Sequence, residues 1–174
     1  CNKLFTKILI ANRGVAAVRI ARTLKRMGIV SIALRTTAEK DSQYFGSFDE
    51  VYDLVGDSVA ETYLDVEQIL AIAARSKAEA IHPGYGFLSE NAEFARKVAA
   101  AGLAFLGPTS DVINVFGLKH EARAMAQAQG VPILEGTGIL PDLAAAVAAA
   151  DKVGFPLLLK STAGGGGIGM QRCD

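Results

Sequence analysis

The front of this chain predicts an open, doubly wound α/β fold. Three observations carry that expectation. Apolar runs of strand length alternate with segments whose apolar residues recur every three or four positions. The joints between them are short, as in right-handed strand–helix–strand units with parallel pairing. Gly28 and Gly102 fall where helices should end, and Gly107-Pro108 where the last strand of the series stops. In such a sheet, ligands are expected beyond the carboxyl ends of the strands.

Taken in order, residues 7–11 read as the first strand, broken by Asn12-Arg13-Gly14. Residues 15–27 read as a helix, with Val15, Val18, Ala21, Leu24 and Met27 at helical spacing and Arg19, Arg22, Lys25 and Arg26 on the remaining surface. Residues 29–34 form the second strand, and residues 35–48 are polar and irregular. Residues 50–55 form a third strand. Residues 65–76 read as a helix, with Asp65 as N-cap and Val66, Ile69, Leu70 and Ala73 as its apolar face. Residues 78–81 are the fourth strand, 91–101 the third helix and 103–106 the fifth strand. Ser89 is expected to cap that third helix, with Phe87 and Leu88 buried. Residues 109–116 and 119–129 then read as two short helices joined at Gly117. An Ala-rich helix over 143–153 precedes a short buried strand, Phe155-Pro156-Leu157-Leu158-Leu159, that ends at Lys160. The expected division is 1–107 as the sheet domain, 108–130 as a helical linker and 131–174 as the opening of a second domain.

Composition excludes several classes of function. A sequence of 174 residues that is 51% hydrophobic can bury a full core. Lys and Arg total 18 and balance 18 Asp and Glu, and no basic run stands out, so nucleic acid is not an expected partner. No apolar stretch nears the roughly 20 residues of a membrane helix, and Cys1-Asn2-Lys3-Leu4-Phe5 does not open a signal peptide. Cys1 and Cys173 are too few for a disulfide framework or a zinc site, which points to a reducing cytoplasm. A first residue other than Met is expected of a processed or excised chain.

The most informative stretch is Lys160-Ser161-Thr162-Ala163-Gly164-Gly165-Gly166-Gly167-Ile168-Gly169-Met170. Consecutive glycines lose much backbone entropy on ordering and bury no side chain. What they offer is N–H groups that approach a ligand closely, an anion-binding concavity beside the Lys160 ammonium. A polyphosphate suits that pairing, although a glycine hairpin with a solvated lysine is the plainer alternative. The lysine precedes the glycines, so this is not a Walker A loop. Two strand ends are also unusual. Ala11-Asn12-Arg13-Gly14 lacks the Gly-x-Gly-x-x-Gly of a dinucleotide site. His82-Pro83-Gly84-Tyr85-Gly86-Phe87-Leu88-Ser89-Glu90-Asn91 is a tight loop that exposes His82, Tyr85 and Glu90.

These motifs, with Gly107-Pro108 and Lys119, resemble biotin carboxylase in order and spacing across essentially the whole chain. Val15 stands where that family commonly has Glu. The resemblance implies a Rossmann-like parallel sheet, the pre-ATP-grasp domain, followed by the beginning of an ATP-grasp lid domain. It implies an ATP-dependent carbon–nitrogen ligase that uses ATP and bicarbonate to carboxylate biotin on a separate carrier domain. A carboxyltransferase domain is the further partner, and a homodimer the implied assembly. Phe116-Gly117-Leu118-Lys119-His120, Glu135-Gly136-Thr137 and the glycine loop are most similar to the urea carboxylases, which are also described as acting on guanidine. The alternatives are acetyl-CoA, propionyl-CoA or pyruvate carboxylases, another ATP-grasp ligase, or a nucleotide-binding module without chemistry.

By the same resemblance, Lys119, Lys160, Gly164, Gly165, Gly166, Gly167, Gly169 and Met170 would hold or cover the ATP phosphates, the glycines as a mobile lid. Tyr85 and Glu90 would face the place where bicarbonate and biotin meet, while His82 and His120 are expected to be structural. The Mg2+ ligands, the catalytic base and the biotin-contacting arginine would lie beyond Asp174, so no catalytic or metal-binding residue is expected within the chain. The chain by itself is expected to be inactive.

Overall fold

The computed structural model describes residues 5–161 and 169–174. The chain divides into two compact units, Cys1–Ile113 and Asn114–Asp174.

The first unit is a five-stranded parallel sheet of order β3-β2-β1-β4-β5. Its strands are β1 (Lys7–Ile10), β2 (Val30–Arg35), β3 (Glu50–Asp53), β4 (Ala80–His82) and β5 (Ala104–Phe105). The helices between them are α1 (Gly14–Met27), α2 (Val66–Ser76) and α3 (Ala92–Ala100). Side chains alternate across each strand, so β1 feeds two cores. Ile8 and Ile10 pack with Ala17, Ala21 and Leu24 of α1. Leu9 and Ala11 pack on the other face with Ile69, Ile72 and Ala73 of α2 and Phe94 and Val98 of α3. Both faces of the sheet are therefore covered, as parallel sheets require. Each fully buried Ile, Leu or Phe contributes about 1.5–3 kcal/mol.

The helix ends follow local chemistry. Gly28 closes α1 at φ 67°, and Asp65 caps α2 by accepting from the Gln68 N–H at 3.1 Å. The cap of α3 is Asn91, not the expected Ser89: its Oδ1 accepts from the Phe94 N–H at 2.9 Å. Leu88 is buried as expected, while Phe87 is only partly so. The buried face of α1 also differs from the expected one. Ala21 and Leu24 are buried as expected, but Val15 is 83% and Met27 57% exposed, and Ala16 and Ala17 are buried instead. Small alanines let the helix backbone approach the sheet, which turns Val15 outward.

A further helix, α4 (Ser110–Gly117), contains the division between the units, which lies between the expected boundaries at 107 and 130. The second unit continues with α5 (Lys119–Ala128), α6 (Leu143–Val153), β6 (Leu157–Lys160) and β7 (Met170–Cys173). β6 and β7 form an antiparallel pair separate from the parallel sheet. The strand leading to Lys160 is present but not buried: Leu158 is 55% and Leu159 48% exposed. A hydrogen-bonded partner covers a strand's edge and not its faces, which side chains of other elements must cover.

Candidate functional site at the strand ends and the lysine hairpin

The sheet order reverses between β1 and β4, which is where a doubly wound sheet opens its crevice. Asn12 bridges that crevice. Its side chain is buried, and Nδ2 donates to Pro83 O and Tyr85 O, both at 2.8 Å. Its Oδ1 accepts from the Arg13 N–H at 2.9 Å. Gly84 lies between the two carbonyls at φ +65°, and a Cβ there would stand 2.6 Å from Asn12 Nδ2. Only glycine fits both the angle and the space. His82 Nδ1 accepts from the Gly84 N–H at 3.0 Å, and burial pushes this imidazole below its ordinary value. A neutral His82 that accepts at Nδ1 fits the structural role expected of it. Tyr85 is 73% exposed, and Glu90 is exposed too.

Beside the crevice lies a second cluster. The irregular residues 35–48 contain two short turns of 3-10 helix, Thr37–Glu39 and Gln43–Ser47. Glu39 is 7% exposed. It accepts from the hydroxyls of Thr36 at 2.7 Å, Tyr63 at 2.8 Å and Tyr44 at 2.9 Å, and pairs with Arg13 Nε at 3.2 Å. Burial pushes the Glu39 carboxyl up, but the hydrogen bonds from Thr36, Tyr63 and Tyr44 outweigh it and hold the group below the usual carboxylate range. Burial first, and the bond to Glu39 second, push the Tyr44 hydroxyl up to about 12. Tyr63 also stacks on Phe87 at 5.2 Å, and Phe87 holds the unusual φ of 44°. An acid in this position after β2 commonly takes a ribose hydroxyl in dinucleotide folds. Here Glu39 is taken up by internal partners, and Asn12 spans the crevice. The weak dinucleotide reading of the first strand end thus has a structural counterpart.

Sequence reasoning does not single out Glu39 or Tyr63, and it marks Asn12 only as part of the Ala11-Asn12-Arg13-Gly14 strand end, without its bonds to the second loop. Thr36-x-x-Glu39 does carry a capping-box signal, and both bonds of that box are present.

In the second unit, Lys160 on β6 stands directly opposite Met170 on β7. The Ser161 N–H donates to Gly169 O at 2.8 Å, extending the pair by one step. Gly169 has φ +75°, and a Cβ there would stand 2.8 Å from Ser161 Cβ. The hairpin therefore brings Lys160, Gly169 and Met170 together at its mouth, with the Lys160 side chain exposed. Gly164, Gly165, Gly166 and Gly167, with the lid expected of them, lie outside the described residues. Lys119 begins α5, behind an N-cap at Leu118 with no side-chain capping bond. Tyr85 and Glu90 belong to the first unit, Lys119 and Lys160 to the second. Among the described residues, no group of three or more His, Cys, Asp or Glu side chains is placed to hold a metal ion. No helix among them is long and apolar enough to cross a membrane.

Residues 4–113 match the family described as the biotin carboxylase N-terminal domain. The chain belongs to that family. Residues 119–174 match the ATP binding domain of the carbamoyl-phosphate synthase L chain. Urea amidolyase of Saccharomyces cerevisiae is 47% identical over 99% of this chain and 9% of its own length. Biotin carboxylase 2 of Bacillus subtilis is 47% identical over 98% of this chain and 39% of its own length. The biotin carboxylase domain of the Hydrogenobacter thermophilus 2-oxoglutarate carboxylase, a dimer in complex with MgADP, ADP and bicarbonate, superposes with a TM-score of 0.93. It is 40% identical, and the match covers 99% of this chain and 38% of that one. The chain thus spans well under half the length of these relatives.

Proposed function

We propose that this chain is the front part of a biotin carboxylase, which uses ATP and bicarbonate to carboxylate a biotin held on a carrier domain. The single observation that carries the reading is the match along both units: a biotin carboxylase N-terminal domain is followed directly by an ATP binding domain. Residues 131–174 would be the opening of the ATP-grasp lid. A carrier domain and a carboxyltransferase domain are the proposed partners. A homodimer is proposed too, since the Hydrogenobacter domain is described as one.

The residues at the hairpin mouth suit a polyphosphate. An exposed ammonium stands at the end of one strand near Gly169, and the sequence between them is rich in glycine. Lys160, Gly169 and Met170 would hold the nucleotide together with Gly164, Gly165, Gly166 and Gly167, and Lys119 would add charge beside it. Bound ATP supplies the phosphoryl group that activates bicarbonate. The chain's own part is positioning and charge neutralisation. Tyr85 and Glu90 would face the acceptor side.

Urea or guanidine is the proposed final acceptor. The 47% identity to urea amidolyase and the resemblance of Glu135-Gly136-Thr137 to the urea carboxylases support it. The test is ATP cleavage by the full-length protein with free biotin and bicarbonate, followed by a screen of urea, guanidine, pyruvate and acyl-CoA acceptors. Cleavage that requires both biotin and bicarbonate is expected. Cleavage indifferent to biotin would overturn the reading in favour of another ATP-grasp ligase.

A further inference from the structure

We propose that Asn12 is the positioning residue that aims Tyr85 at the acceptor side of the carboxylation site, an inference that rests on the function proposed above. The pairing of β1 with β4 is complete without it: Ile8, Leu9 and Ile10 face Ala80, Ile81 and His82, and the Ala11 N–H reaches His82 O at 2.9 Å. The bonds from Asn12 fall past that ladder, on the loop alone. Both Nδ2 hydrogens are used, one on the carbonyl before Gly84 and one on the carbonyl of Tyr85 itself. Tyr85 is 73% exposed, so packing does little to fix its direction. Its backbone is instead held from behind by a side chain that is only 3% exposed. A buried amide with every polar atom engaged fixes the backbone from which the exposed side chain projects, and so the place it can reach. Gly84 completes the clamp, because no larger residue leaves room for the amide.

Two substitutions attack the clamp from opposite sides. Asn12→Asp keeps the shape and the acceptor for the Arg13 N–H, but it offers no donor and sets an oxygen against two carbonyls. Gly84→Ala puts a methyl group 2.6 Å from Nδ2. The experiment is steady-state kinetics of the full-length protein with free biotin as the probe, with thermal melting to establish that each variant is folded. Asn12→Asp is expected to raise KM for biotin about tenfold while KM for ATP moves less than about twofold. Gly84→Ala is expected to do the same, and the double variant to be no worse than the more severe single one. Should Asn12→Asp fail to fold, Gly84→Ala carries the same test. Equal changes in the two KM values, or no change in either, would overturn the inference and leave Asn12 a structural residue. A wild-type protein without biotin-dependent turnover would overturn the proposed function and this inference together.

Discussion

The hydroxyl of Tyr63 lies 2.8 Å from Oε2 of Glu39 and 3.0 Å from Leu34 O. A fully buried tyrosine, just before α2, thereby holds a carboxylate that follows β2. Its ring meanwhile stacks on Phe87 in the loop that carries Tyr85. Tyr63→Phe keeps the stacking and removes the bond. It is expected to destabilise the fold by about 1.5–3 kcal/mol, the scale of a hydrogen bond to a charged group. Urea denaturation at neutral pH measures it, and an unchanged midpoint would contradict the role given to this pair.

Two groups make stability fall with acidity, and the declines begin at different pH. His82 is held below its ordinary 6.5 by burial, so the unfolded chain takes up that proton first as pH falls. Its contribution is full above 6.5 and is lost as pH drops toward the lowered folded value. For Glu39, burial pushes the carboxyl up but three hydroxyl bonds hold it below the ordinary 4.5. Its contribution is therefore full above 4.5 and is lost as pH falls through the lowered value. Melting temperatures measured downward from about pH 8 should show both declines. His82→Gln should flatten the upper one and Glu39→Gln the lower one. A profile unchanged in both variants would refute the assignment.

The cap of α3 separates two residues that sequence reasoning treats alike. Asn91→Ala should cost about 1 kcal/mol, because the Phe94 N–H loses its acceptor. Ser89→Ala should cost only a few tenths of that, as surface changes usually do. Chemical denaturation of the two variants decides, and equal losses would contradict the cap.

Much of this architecture was legible in the sequence because its strands and helices have clean periods. Val66, Ile69, Leu70 and Ala73 form the inward stripe of α2, and Ile8 through Ile10 is a short, largely β-branched apolar run bounded by Asn12-Arg13-Gly14, the pattern of a buried strand. The face of α1 was misread because hydropathy ranks Val15 above Ala16 and Ala17, whereas close packing on a sheet selects for small volume. β7 went unread because Met170-Gln171-Arg172-Cys173 has no apolar run, and its pairing with β6 is what makes it a strand. The glycine loop reads as a ligand site from composition alone, an expectation that falls largely on residues outside those described. Asn12 and Glu39 were not legible in this way: their roles come from contacts with Tyr85 and Tyr63, far away in sequence. No local pattern around Asn12 encodes such a contact, and the capping box at Thr36 hints only at its local half.

The most direct measurement is the transfer of radiolabelled bicarbonate carbon to biotin by the full-length protein, wild type against Lys160→Ala. The wild type should form labelled carboxybiotin only when ATP is present. In Lys160→Ala, nucleotide affinity should fall by about 1.5–3 kcal/mol, the scale of a hydrogen bond to a charged group, and labelling at limiting ATP should fall with it. Lys160→Arg should not restore it fully, since a planar fork does not replace a compact ammonium. Label reaching biotin without ATP, or a Lys160→Ala protein that binds and uses ATP as the wild type does, would contradict the account.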